Sequence, residues 1–321
     1  MRRLVVALLL IVSCSAQAQA QPFPSRPLTL IVPFPPGGST DAAARIMAER
    51  MRETLGQPIV IENVGGAGGS IGSARVAAAA PDGYTLLAAS MGSHVAAPIL
   101  VPSAKYDPLR DFEPIGLTAH APVVIVARKD FPAKDFSGFV ALLKQRGGDI
   151  RQGHGGVGAS SHMACLLFTA ELGVKPNAIA YRGTAPAMND LAGGHIDFLC
   201  EQAVSVSGQI AAGAVKAYAV SGDRRLATLP DVPTALEAGV NYRMSVWAAM
   251  FAPRGTPADI MKTLNVALDR ALDDAILQKR IAELGGTIPG KDERSPEAFA
   301  IYLKAEIARW SPLLKAAAAA N

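Results

Sequence analysis

Cysteine is scarce in this chain, with three in 321 residues, too few for a scaffold held by several disulfides. One of them, Cys14, falls in an N-terminal leader. Cys165 and Cys200 remain, and two readings stand for them, a disulfide or two buried thiols, because sequence gives no Cα separation. The 5 histidines (His94, His120, His154, His162, His195) form no H-x-x-x-H or H-E-x-x-H pair, which argues against a metal site, although distant residues can meet in space. No G-x-S-x-G elbow occurs, since Gly158-Ala159-Ser160-Ser161-His162 departs from it at the last position. The glycine-rich run Gly65 to Gly72 lacks the GK[ST] ending of a P-loop, and Ile71 stands where a dinucleotide fingerprint begun at Gly66 needs glycine. It reads as a tight turn with close helix–strand packing. Positive charge is not clustered: Lys+Arg number 31 against 27 Asp+Glu, and losing Arg2 and Arg3 with the leader leaves a balance near +2, with no nucleic-acid surface. Past the leader, nothing reaches the ~18 consecutive apolar residues that a membrane span needs.

What is present begins with that leader. Met1-Arg2-Arg3, the apolar run Leu4 to Val12 and Ala16-Gln17-Ala18-Gln19-Ala20 have the basic start, short apolar core and Ala-x-Ala end of a secretory signal at 1–20. Cleavage after Ala20 gives a soluble periplasmic chain. A second reading, in which Ile11-Val12-Ser13-Cys14 is a lipoprotein signal and Cys14 an anchor, also stands. About 300 mature residues exceed what one core usually serves, so two lobes are expected.

One stretch organises the rest. Leu28 to Val32 reads as a buried strand, Pro33-Phe34-Pro35-Pro36-Gly37-Gly38 as a bare loop, and the residues after Ser39-Thr40-Asp41 as a helix. Ser39 or Thr40 is a natural N-cap, and Asp41 suits the positive end of the helix dipole. In an open α/β sheet such a place binds anions. Strands at 59–61 and 84–88 alternate with helices, the sign of a parallel sheet covered on both faces. Ser90 to His94 reads as a polar loop after a strand, and 115–118 and 123–126 as two further strands. A second glycine-rich loop, Gly153 to His162, then feeds a helix, with Ser160-Ser161 as an N-cap pair. Arg182-Gly183-Thr184 follows the strand 178–181; Thr184 can cap a helix, and Arg182 is either a bidentate carboxylate ligand or a solvated arginine. Glu201 and Gln202, after a strand at 196–199, either accept from a ligand's amine or hydroxyl or are ordinary loop polars.

These motifs, in this order behind a signal, resemble the substrate-binding proteins of the tripartite tricarboxylate transporter family, the Bug receptors, over nearly the whole mature chain. The resemblance rests on Pro33 to Asp41, Glu62-Asn63 with Gly66 to Gly72, Pro81-Asp82-Gly83-Tyr84-Thr85, Gly158 to His162, Tyr181 to Ala187 and Leu229-Pro230-Asp231-Val232-Pro233-Thr234. It implies an α/β, type II-like, two-lobed periplasmic binding protein of the Venus-flytrap kind, each lobe a mostly parallel sheet flanked by helices. The first lobe would take 26–126 and 244–321, the second 127–243.

The implied activity is not enzymatic and needs no cofactor. A monomer would take up a small organic acid (a dicarboxylate, amino acid or aromatic carboxylate) and deliver it to integral membrane transporter subunits. Pro35, Gly37, Gly38, Ser39, Thr40 and Asp41 would form the first wall with Ser90 and His94 beside it; Gly158, Ser160, Ser161 and His162 would face it; Arg182, Gly183, Thr184 and Glu201 would close the pocket. Two other functions stay open at this stage: a sensor module without a permease, and a secreted hydrolase using Ser160 or Ser161 with a histidine base.

Overall fold

The computed structural model describes residues 22–283 and 285–319. The expected leader at 1–20, with Cys14, lies outside them. In chain order the strands are β1 (Leu28–Val32), β2 (Ile59–Asn63), β3 (Thr85–Ser90), β4 (Phe112–Arg128), β5 (Arg151–His154), β6 (Asn177–Ala180), β7 (Phe198–Gln202), β8 (Val215–Val220) and β9 (Ser245–Pro253). The α-helices are α1 (Ser39–Leu55), α2 (Ser70–Ala77), α3 (Ala97–Leu100), α4 (Phe136–Arg146), α5 (Ser160–Leu172), α6 (Thr184–Ala192), α7 (Ala203–Ala211), α8 (Ala258–Asp273), α9 (Ala275–Glu283) and α10 (Pro296–Ala319).

The strands form two sheets that share β4. The first runs β2-β1-β3-β9-β4, the second β6-β5-β7-β4-β8. Each starts from a strand flanked by two parallel neighbours, then admits a strand from elsewhere in the chain, and ends on an antiparallel edge. The pairings β1–β2, β1–β3, β5–β6 and β5–β7 are parallel; β3–β9, β4–β9, β4–β7 and β4–β8 are antiparallel. The sheets are thus more mixed than strand–helix alternation implies, because β9 and β4 enter from a neighbouring lobe and not through a helical crossover.

The stretches 115–118 and 123–126, read as two strands, belong to one. Pro122 between them lies opposite Ser245 of β9, while Val123 lies opposite Gln202 of β7. The proline sits where β4 passes from one sheet to the other, a place where a missing N–H interrupts no continuous ladder. The second crossing is tied to this point. Ser221 donates its N–H to the Val123 carbonyl and accepts the Val123 N–H on Oγ, both at 2.8 Å. The same Oγ donates to the Met244 carbonyl, and Met244 N–H returns to the Ser221 carbonyl at 3.2 Å.

Local chemistry explains the elements around the loops. In α1, Ala43, Ile46, Met47, Met51 and Leu55 recur every three or four residues and are buried, and Gly56 ends the helix in the left-handed region with its N–H on the Arg52 carbonyl. On the first sheet's outer side α10 is held by a buried Glu306 that accepts from the indoles of Trp247 (3.2 Å) and Trp310 (3.0 Å). In the second half Cys165 of α5 and Cys200 of β7 are fully buried and disulfide-bonded, with their Cα atoms 5.1 Å apart. Among the described residues no helix is long and apolar enough to cross a membrane.

Candidate ligand-binding site

Three helices aim their N-termini at one space. In α1 the cap residue is Gly38, in α5 Ala159 and in α6 Gly183, and no side chain caps any of the three. The serines and threonines expected as caps (Ser39 or Thr40, Ser160-Ser161, Thr184) instead lie inside the first turns. Glycine or alanine takes each cap position, so first-turn amides and hydroxyls remain for a partner outside the helix.

The cavity between these ends is lined by Phe34, Pro35, Gly38, Ser39, Thr40 and Ser90 from one side, and by Gly155, Ala159, Ser160, Ser161, Thr184, Glu201 and Gln202 from the other. No lysine, arginine or histidine lines it. The rims touch. Gly92 N–H donates to Ser160 Oγ at 3.0 Å, and Ser90 Oγ lies 3.4 Å from the same atom. Gly68 runs so near the Val157 carbonyl that a Cβ there would stand 2.1 Å from its oxygen. The arrangement is closed.

Several expected residues lie elsewhere. The Asp41 carboxylate turns back on its own loop, accepting from Gly37 N–H and Arg45 Nε at 3.0 Å and from Asn63 Nδ2 at 2.9 Å. Burial pushes this carboxyl up, but the bonds from Arg45, Gly37 and Asn63 outweigh it and hold it below the usual carboxylate range. It anchors the loop, as Gly37 does with its positive φ of 86°. The expected polar loop at Ser90–His94 is a buried π-helical turn (Gly92–Ala96) that sends His94 into the core. There the imidazole stacks on Phe251 at 4.3 Å, and burial pushes it down to about 3.

Gly158 packs on Ala97, and Gly183 packs on Pro35. His162 turns away to accept the Gly158 N–H (3.3 Å) and to lie 4.3 Å from His154. Burial, and then His154, lower it to about 4. Arg182 is exposed and has no hydrogen-bond or ion-pair partner among the described residues.

Glu201 and Gln202 belong to β7, whose strand starts and ends later than the sequence implies, and both are buried. Glu201 Oε2 accepts from Thr184 Oγ1 at 2.8 Å, Oε1 accepts from Gln202 N–H at 2.8 Å, and the nearby Ser161 hydroxyl adds a weaker electrostatic pull. Burial raises this carboxyl against the pull of those three donors. Phe34, Gly155 and Ala159 line the pocket without having been singled out as ligand-facing, whereas Gln202 lines it as one of its two expected roles, a ligand acceptor, requires. Phe34 and Gly155 belong to the two loops already singled out, and their place in the lining followed from loop membership.

Among the described residues no three of His, Cys, Asp and Glu come together to hold a metal. Neither Ser160 nor Ser161 is hydrogen-bonded to a histidine there; Ser160 Oγ accepts from Gly92 and Ser161 Oγ from Gly155 (2.9 Å).

Comparison with known proteins agrees with this architecture. The model of the tripartite tricarboxylate transporter family receptor matches residues 43–318. A protein from the TAR-I ttuE-ttuC' intergenic region of Agrobacterium vitis is 42% identical over 94% of this chain and 87% of its own. Among solved structures, MatC from Rhodopseudomonas palustris with bound malate is 42% identical, with a TM-score of 0.87 over 91% of this chain and 100% of that one. The periplasmic binding protein BugD is 42% identical, with a TM-score of 0.88 over 92% and 98%. The likeness covers more than nine-tenths of the chain, and the chain belongs to the tripartite tricarboxylate transporter receptors, a family of periplasmic solute-binding proteins and not of enzymes.

Proposed function

We propose that this receptor captures a small organic carboxylate between two lobes, 26–126 with 244–321 and 127–243, and delivers it as a monomer to integral membrane subunits. The observation that carries the reading is the meeting of three uncapped helix N-termini at a cavity without a basic side chain. Main-chain amides and hydroxyls then do the work a lysine or arginine would do elsewhere. Ser39, Thr40 and the amides of α1 take the carboxylate; Ser160, Ser161 and Thr184 close on the rest of the ligand from the second lobe, with Pro35, Gly38, Ser90 and Glu201 shaping the space.

Each charge-assisted hydrogen bond contributes about 1.5–3 kcal/mol. A few of them reach roughly micromolar affinity, about 8 kcal/mol, after the entropy of capture. MatC, whose structure holds malate, is the relative that makes carboxylates the first ligands to try. Closure over the ligand shifts the population toward the form a membrane partner recognises. Residues 1–20 act as the export signal, cleaved after Ala20. Titration calorimetry of the exported chain against dicarboxylates, amino acids and aromatic acids tests the reading; micromolar heats with at least one class are expected, and a silent panel overturns it.

A further inference from the structure

Of the three hydroxyls of the second wall, that of Thr184 is not free. Thr184 Oγ1 gives its proton to Glu201 at 2.8 Å, and the Ser161 oxygen receives the Gly155 N–H. A hydroxyl has one proton and two lone pairs. With its proton turned toward Glu201, the Thr184 hydroxyl has only lone pairs left for the cavity, beside a buried carboxyl with no positive side chain among the lining residues. A bare carboxylate or ether oxygen placed there meets acceptor against acceptor, and an apolar group leaves the lone pairs unanswered.

We propose that Glu201 is the residue that fixes selectivity: by taking the Thr184 proton it sets an acceptor oxygen among the donor amides of the second wall, so that the preferred ligand is a carboxylate bearing a hydroxyl or ammonium group. This rests on the carboxylate reading of the cavity. The first wall holds the carboxylate on its amides, and the donor on the neighbouring carbon answers the acceptor opposite. A glutamine at 201 reverses the arrangement, because its amide N–H donates to Thr184 and frees that hydroxyl to donate into the cavity.

The experiment is calorimetry with matched pairs that differ by one hydroxyl: malate and succinate, lactate and propionate, mandelate and phenylacetate. In the native protein the hydroxy acid of any pair that binds is expected to be tighter by at least about tenfold, the cost of leaving built acceptors unmatched. In Glu201→Gln the ratio within the pair is expected to shrink by tenfold or more. Thr184→Ser, which keeps the bond to Glu201, is expected to retain the native ratio, and Thr184→Val to lose it. Equal affinity within every binding pair, or a Glu201→Gln change that weakens both members by one factor, overturns the proposal while the carboxylate site stands. Absence of heat with all six acids overturns the carboxylate site itself.

Discussion

The two lobes use one strand order, β2-β1-β3-β9-β4 and β6-β5-β7-β4-β8, and in each the first strand runs through a glycine-rich loop into a helix whose start lacks a side-chain cap. They differ in what surrounds that shared arrangement. In the first, Asp41, Arg45 and Asn63 brace the loop from behind, and nothing charged reaches the cavity. In the second, a buried carboxyl stands in the wall, on a strand bonded through Cys200 to the helix that carries Ser160 and Ser161. Repeating a topology repeats the direction of the backbone groups, while the neighbouring strands decide which side-chain protons face a ligand.

Four measurements bear on that contrast. The largest effect is expected in acid. His94 in the first lobe and His162 in the second titrate at about 3 and about 4, below the ordinary 6.5, because burial disfavours their charged forms. The unfolded chain therefore takes up these protons first. Their contribution is complete above pH 6.5, drains as pH falls below it, and is spent by about 4 for His162 and about 3 for His94, on the order of 3–5 kcal/mol for each group. Chemical denaturation from pH 7 to 3 reads the slope. His94→Phe, which removes a buried Nε2 with no partner, is expected to flatten the slope from pH 6.5 down to about 3, and a slope unchanged by it would assign the acid sensitivity to the second lobe.

Next in size is the disulfide. Its separation of 35 residues corresponds to about 3–4 kcal/mol of stability. The double variant Cys165→Ser/Cys200→Ser is expected to lower Tm and to speed amide exchange in α5 and β7 while β1 and α1 keep their protection. Equal loosening of both lobes would mean that they unfold as one unit.

Filling the first wall comes third. Gly38 has φ −84° and the nearest atoms to a Cβ there are 4.0 Å away, so Gly38→Leu is expected to fold with a Tm within a few degrees. It should weaken carboxylate binding by at least about a hundredfold, roughly 2.7 kcal/mol. Binding that survives the change would move the ligand off the first wall.

The smallest effect expected is that of Gly92→Ala. Its Cβ would come within 2.5 Å of the Ser160 amide across the gap, a steric bar to closure without positive-φ strain at the site. About a tenfold loss of affinity and a larger radius of gyration with ligand present are expected, and unchanged scattering would show that the rims can meet in another register.

Much of this was legible in the residues. The strand, bare loop and helix at 28–55 are where the pattern of apolar residues, prolines and glycines puts them, since each local preference agrees with the fold. The misses share a cause. Polar residues read as ligand-facing were claimed by their own neighbourhood: Asp41 by Arg45, Asn63 and the Gly37 amide, and His94 by the aromatic cluster around Phe112 and Phe251. Glu201 and Gln202 look like loop residues because a buried strand rarely ends in two polar side chains. They are tolerated there because the cavity and the hydroxyls beside it satisfy them. The caps were misplaced by a single position, and that shift decides whether a hydroxyl serves its own helix or an outside partner.

Ser221 bonds to both chain segments that pass between the lobes, Val123 on one and Met244 on the other. Two separate tethers could shift independently; joined at a common residue, they are expected to move together, so that any bending between the halves is shared by both. A Ser221→Ala variant, which unties the two, is then expected to loosen the alignment of the loops at Gly38 and Gly155 across the cleft.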